Sequence, residues 1–367
     1  MDRDQPSLDD LLTEAGINTI QRNLCMVFNN ADSAAVMLVA RNMAVDITQA
    51  QSFLRKTCED VLLETAITDA HQHVNLVFKN RNTSSASASR FLALTYPESS
   101  MVIAVFDTGV ATELDKKVFS ACLDRTNIHP TVGIHPRLAC SITIEVLDEV
   151  VKFIMENIGK VCAIGEVGLD TKWASKGVDL QSQKDLLKIF ALLARFTGLP
   201  LILHLRTSHN AQFNAVHDAV VVLQEANLSK DHPINIHAWG GKLDDAEHFL
   251  KAFPNTFFGI GKLIKSLDSV AEVAVKLSLD RLLVETDSPH MGTLREGSNF
   301  VKIMAEKRNI APIELLRAMR KNMETLLKPL CSGSSDASIV TSAITEWAMR
   351  KTTLDTAAAK RFVDSNT

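Results

Sequence analysis

Ile67-Thr68-Asp69-Ala70-His71-Gln72-His73-Val74 is a short apolar run that ends in two histidines one residue apart. Successive side chains of a β-strand point to opposite faces, so His71 and His73 project from the same one. That is how a strand presents a pair of metal ligands. A lone His-x-His is equally an ordinary polar strand end, so its meaning depends on what the other strand-like runs of the chain carry.

Seven more aliphatic or β-branched runs follow, at 102–106, 131–134, 161–164, 201–205, 234–236, 256–260 and 282–284. Amphipathic helical segments separate them, among them 144–157, 183–197, 211–225, 244–253 and 267–277. Strands alternating with helices imply parallel βαβ units, and eight units closing on themselves make a (β/α)8 TIM barrel, an α/β fold. A doubly wound open sheet is the rival, but no glycine-rich phosphate loop follows the first run. A helix over 311–326 would close the barrel. The expected division is a helical extension over 1–62, the barrel over 63–330 and a tail over 331–367. In the tail, Ser332-Gly333-Ser334-Ser335 marks a break before one more helix over 337–350. The extension has two readings, packing against the main domain and a surface for a protein partner.

Composition sets the outer limits. At 367 residues and 46% hydrophobic, the chain can bury a large core. It shows no secretory signal layout and no apolar run near the ~20 residues that cross a bilayer, so the expected location is cytoplasmic or nuclear, without membrane association. Six cysteines without CxxC pairing point to reduced, mostly buried thiols. A net charge of -4 argues against a protein that coats a phosphate backbone with a broad basic face, yet it leaves room for a nuclease whose cleft charge comes from metal ions.

Barrel enzymes place their chemistry at the carboxyl ends of the strands. Here the first run ends in His71 and His73, the third in Gly133-Ile134-His135-Pro136-Arg137, and the fourth in Gly165-Glu166-Val167-Gly168-Leu169-Asp170. The fifth carries His204-Leu205-Arg206, the sixth His237-Ala238-Trp239-Gly240-Gly241, and the eighth Glu285-Thr286-Asp287-Ser288-Pro289. Singly, His204 reads as a buried core histidine, Glu166 as a turn residue and Asp287 as a helix cap. Jointly, those readings need unrelated accidents at one end of several strands. Four histidines and two carboxylates exceed the usual complement of one catalytic zinc and suit two divalent ions, Mg2+, Mn2+ or Zn2+, sharing a carboxylate.

In these motifs, taken in this order over roughly 67 to 330, the chain resembles the TatD family of metal-dependent deoxyribonucleases, a branch of the amidohydrolase-like barrels. The resemblance implies that His71, His73 and Asp287 hold one metal, that His204 and His237 hold the other, and that Glu166 bridges them. It further implies a DNA substrate, with nucleotides removed from a 3′ end. The chain departs from the usual family pattern at Arg137, Thr171, Ala238, Trp239 and His290, positions that line the cleft rather than bind metal.

The expected reaction is phosphodiester hydrolysis by water activated at two metals, with Asp287 and Glu166 at the reacting centre. His135 and Arg206 are the expected phosphate contacts, and Lys262 adds a positive edge. Trp239 either stacks on an unpaired base or sits buried under its loop. Amide, lactone or phosphotriester hydrolysis is the alternative. Many such barrels bridge their metals with a carboxylated lysine, and Glu166 stands in that place here.

Overall fold

In the computed structural model the chain divides into two compact units, Met1–Ile67 and Thr68–Thr367. The structure describes residues 68–80, 88–172, 177–208, 213–293, 296–329 and 337–365. The expected helical extension over 1–62 lies outside them.

Eight parallel strands form one sheet in sequence order: β1 (Thr68–Gln72), β2 (Met101–Phe106), β3 (Ile128–Val132), β4 (Ala163–Asp170), β5 (Leu201–Arg206), β6 (Ile234–His237), β7 (Thr256–Ile260) and β8 (Leu282–Val284). The first and last edges meet just beyond β8. Asp287 N donates to His71 O at 3.0 Å, and His73 N donates to Ser288 O at 2.9 Å. The ring is therefore joined by the residues that were singled out as metal ligands.

Helices cover the outside: α1 (Val74–Asn80), α2 (Ala88–Thr95), α3 (Glu113–Leu123), α4 (Ile144–Glu156), α5 (Gly177–Thr197), α6 (Ala215–Glu225), α7 (Leu243–Ala252), α8 (Asp268–Lys276), α9 (Glu296–Arg308), α10 (Pro312–Leu326) and α11 (Ser338–Ser365). Several begin on side-chain caps that the sequence supplies at the loop. Thr112 and Asp115 form a reciprocal capping box on α3, and the Asn214 side chain accepts from Val216 N and His217 N at the start of α6.

One end of the barrel is filled by Ala70, Met101, Ile103, Val105, Ala163, Ile202, Phe257 and Leu283, with Met323 and Leu326 of α10 against them. Fully burying each large aliphatic or aromatic side chain contributes roughly 1.5–3 kcal/mol, so this layer is a packed foundation and not a channel. Asn322 on α10 satisfies the carbonyls of Leu279 and Leu282 with two 2.8 Å bonds and so fixes the helix to the entry of β8.

Two strands differ from their expected bounds by three residues or more at one end, the others by two at most. β3 starts three residues earlier than 131, because Pro130 is accommodated inside it and gives its carbonyl to Cys162 N. β4 runs on through both glycines to Asp170. Gly168 makes this possible: its φ is +152°, and a Cβ there would lie 2.0 Å from the carbonyl oxygen of His204 on β5. The tail helix, expected over 337–350, extends to Ser365. Its Val340, Ile344 and Trp347 are buried, and Arg350 pairs with Asp185 of α5 at 3.3 Å. This first part of the tail is thus packed onto the barrel.

Candidate metal centre

Two irregularities aim the key side chains inward. Between Asp69 and Gln72, β1 spends three steps where β2 spends two, and between Ile164 and Val167 the same happens in β4 against β5. Each is a bulge with one extra residue. Such bulges turn side chains toward a site. The first contains His71 and the second contains Glu166.

Glu166 lies at the middle of the resulting cluster, 1% exposed. Its Oε2 faces His71 Nε2 at 3.2 Å and His73 Nε2 at 3.7 Å. Its Oε1 faces His204 Nδ1 at 2.7 Å, His237 Nε2 at 2.8 Å and His135 Nε2 at 3.4 Å. Asp287 Oδ1 closes the first group, 3.3 Å from His73 Nε2 and 4.0 Å from His71 Nε2. Asp287 holds this place with a left-handed backbone, φ +50°, while its N–H is tied to β1. All six residues expected as ligands therefore converge.

His135 joins them. It was expected at a phosphate, but its ring is 8% exposed, its Nδ1 accepts from Arg137 N, and its Nε2 belongs to the Oε1 group. Arg206 stays outside, exposed at the end of β5. Trp239 is 1% exposed and packs edge-on against Phe258 with centroids 4.9 Å apart, which settles it as a buried core residue and removes it from base stacking.

Behind the cluster stands a second layer of carboxylates that the sequence reading did not assign. Asp170 Oδ2 is 3.0 Å from His204 Nε2, Asp107 Oδ1 is 3.8 Å from His73 Nδ1, and Glu285 Oε1 is 3.8 Å from His237 Nδ1. At hydrogen-bond distance, as for Asp170, a carboxylate on the far nitrogen fixes the tautomer and orientation of an imidazole, whereas Nδ1 of His73 and of His237 makes no hydrogen bond among the described residues. Asp107 had a visible signal, as the first polar residue after the second apolar run. Asp69 is a further organiser: it accepts from Thr286 Oγ1 at 2.6 Å, Thr286 N at 3.0 Å, Gln72 Nε2 at 2.7 Å and His71 N at 3.2 Å.

The charges respond to this crowding. Burial opposes charge on Glu166, yet His237 and His71 outweigh it and hold the carboxyl well below the usual range. Burial and the nearby His237 push His71 down to about 4. His204 is buried too, but Asp170 and Glu166 raise it to about 9, and His73 is raised against its burial to about 8 by Asp287, Asp107 and Glu166. Burial takes His135 down to about 3. Burial likewise lifts Glu285 well above the carboxylate range.

The donor set fits a cation. Three groups, His71 with His73 and Glu166, His71 with His237 and Asp287, and His135 with Glu166 and His204, each bring ligand atoms within 4.8 Å of one another. His204 Nδ1 and His237 Nε2 face each other at 2.9 Å. Asp287 Oδ1 is buried with no hydrogen bond of acceptable geometry, although His73 Nε2 is 3.3 Å away. Converging nitrogens and carboxylate oxygens at these spacings match neighbouring ligands around an ion with bonds of ~2.0–2.2 Å.

The family pattern described as TatD related DNase matches residues 68–328. The chain belongs to this TatD-related family. It is a metal-dependent hydrolase built on the family's TIM barrel. It is 30% identical over 185 residues to the uncharacterized metal-dependent hydrolase YabD of Bacillus subtilis, a match that covers 49% of this chain and 68% of that one. To the human deoxyribonuclease TATDN3 it is 26% identical over 227 residues, covering 59% and 78%. The crystal structure of YJJV, a TatD homologue from Escherichia coli, superposes with a TM-score of 0.58 at 22% identity, covering 71% of this chain and 98% of that one. A TatD family hydrolase from Entamoeba histolytica gives 0.57 at 17%, covering 72% and 98%. These two likenesses concern the fold. Among the described residues of this TatD protein, no helix is long and apolar enough to cross a membrane.

Proposed function

We propose that this TatD-family protein is a deoxyribonuclease that removes nucleotides from the 3′ end of single-stranded DNA with two divalent ions. The observation that carries the two-ion reading is the division of labour on Glu166, whose two oxygens face separate sets of imidazoles. His71, His73 and Asp287 would hold one ion, and His204 and His237 the other, with Glu166 between them. His135 adds a nitrogen to the second set. When bound, such a pair supplies Lewis-acid activation of water and of a phosphoryl oxygen.

The chain's own residues do the rest. Asp170 holds the His204 ring from behind, so the nitrogen that faces the pocket does not wander, and Asp107 adds a negative charge 3.8 Å behind His73. Asp287, kept ionised by His73 and His71 against its burial, presents Oδ1 where it can orient an attacking water and receive its proton. Arg206 stands two residues beyond His204 on the same strand, where its guanidinium fork can meet a phosphate of the strand being cut. The deoxyribonuclease name borne by the human relative supports DNA over a small ester or amide.

The test is a 5′-labelled single-stranded oligonucleotide incubated with Mg2+ or Mn2+. Progressive shortening from the 3′ end, abolished by EDTA and by His204→Ala or Glu166→Ala, is expected. Unchanged cleavage by either variant would refute the assignment. Turnover of lactones, amides or triesters with DNA left intact would favour the small-molecule hydrolase instead.

A further inference from the structure

Arg137 is held against a buried carboxylate at the edge of the candidate metal centre. It lies in the single 3-10 turn Pro136–Leu138 that follows β3, and its N–H donates to His135 Nδ1 at 3.0 Å. Its guanidinium reaches sideways to the buried Asp107, Nη2 to Oδ2 at 3.3 Å, and the other oxygen of Asp107 faces His73 Nδ1 at 3.8 Å. The side chain is nevertheless 41% exposed. Among the described residues, Arg206 after β5 acts on Asp170 and Lys262 after β7 acts on Glu296 only through charge at longer range, while Lys265 pairs with Glu296 at 3.6 Å, away from the histidine cluster.

A guanidinium has five N–H donors in a rigid fork. Asp107 takes one. With 41% of the side chain exposed, the guanidinium keeps donors open to an incoming anion, beside a cluster that carries Glu166, Asp287 and Asp107. Because the fork is already anchored, it loses little side-chain freedom on binding, which favours it over a mobile lysine or arginine. His290 stands on the same side, its ring edge-on to His73 with centroids 4.6 Å apart, and narrows the approach beside Arg137.

We propose that Arg137 is a substrate-binding residue that grips a backbone phosphate of the nucleic acid strand while its other edge stays paired with Asp107, the carboxylate beside His73. The proposal rests on the nuclease reading above. It assigns Arg137 a phosphate contact that a purely structural partner of Asp107 would not make.

The two roles separate by experiment on the full chain. Binding of a fluorescent single-stranded oligonucleotide is measured by anisotropy in EDTA across a salt series, and cleavage kinetics are measured with Mn2+. Each single-strand phosphate contact contributes about 0.7 to the slope of log affinity against log salt. Arg137→Ala is expected to lower that slope by about 0.7 and to raise KM about tenfold with kcat within about threefold, and Arg137→Lys to recover much of the slope. An unchanged slope and KM, with weaker Mn2+ binding, would overturn the proposal and leave Arg137 as a clamp on Asp107. If the unaltered protein binds the oligonucleotide with an Arg137-dependent slope but never cuts it, the nuclease reading fails while the phosphate contact stands. If the full chain neither binds the oligonucleotide in EDTA nor cuts it with Mn2+, both fail, whereas cleavage whose KM is unchanged by Arg137→Ala overturns the Arg137 contact alone.

Discussion

Asp170 shows how much of the centre depends on residues that would never touch a metal. It contacts His204 from the side away from Glu166, and its own backbone is pinned by Gln183, which accepts from Asp170 N at 2.7 Å and donates to Asp170 O at 3.2 Å. Losing such a partner typically costs 10–100-fold in metal affinity. Asp170→Asn is therefore expected to weaken Mn2+ binding by about that factor, read by isothermal titration, with the thermal unfolding of the metal-free protein shifted by no more than a few degrees. His232 makes a separate prediction, far from the cluster in character. Its Nε2 contacts Leu199 O at 2.9 Å, and burial, only partly offset by that bond, lowers its pKa to about 4. The folded state thus binds fewer protons than the unfolded chain, so this contribution is intact above pH ~6.5 and is lost as the pH falls towards 4. The loss amounts to about 3 kcal/mol at most, at ~1.4 kcal/mol per pH unit. Denaturant titrations between pH 7 and 4 should show a flatter decline for His232→Gln than for the unaltered chain. Equal slopes would show that His232 is not a buried neutral histidine.

At the level of elements, the barrel was legible because its signals are periodic. Eight aliphatic runs alternating with amphipathic helices leave few other folds, and β7 and β8 fall on 256–260 and 282–284 as expected. The six candidate ligands stand out because each sits in or just after an apolar run, where a charged group has no packing role. What periodicity does not carry is a bulge. Neither the extra residue in β1 nor that in β4 leaves a mark in hydrophobic pattern, so Gly165-Glu166-Val167-Gly168 reads as a turn and β4 as ending four residues before Gly168 does its work. Trp239 was ambiguous for a similar reason, since burial under a loop depends on Phe258, a residue nineteen positions away on β7. Gly168 gives the element-scale test. Gly168→Ala places a methyl 2.0 Å from His204 O at a φ that L residues avoid, so β4 and β5 must part. We expect a loss of roughly 3 kcal/mol or more in chemical denaturation, together with loss of metal binding at His204. A variant as stable as the original would mean that the two strands are not in such close contact.

For the whole molecule, charge and topology divide the tasks. A net charge of -4 gives no broad surface for nucleic acid, so attraction of a phosphate chain has to be local to the mouth of the barrel. The compact unit Thr68–Thr367 contains the family match over 68–328 and the tail helix packed on α5, whereas Met1–Ile67 forms a unit of its own. We propose that the barrel and tail suffice for the chemistry. A chain lacking residues 1–62 should fold, bind Mn2+ and act on DNA within about threefold of the full chain. Cutting after residue 337 should instead lower the melting temperature, because Val340, Ile344 and Trp347 leave apolar surface behind them. The claim on which all of this turns is that one carboxylate stands between two sets of imidazoles in order to hold two cations. Crystals grown with Mn2+ test it by anomalous diffraction. The account predicts two peaks flanking Glu166, one among His71, His73 and Asp287 and one among His204, His237 and His135, whereas a single peak, or none, would contradict it.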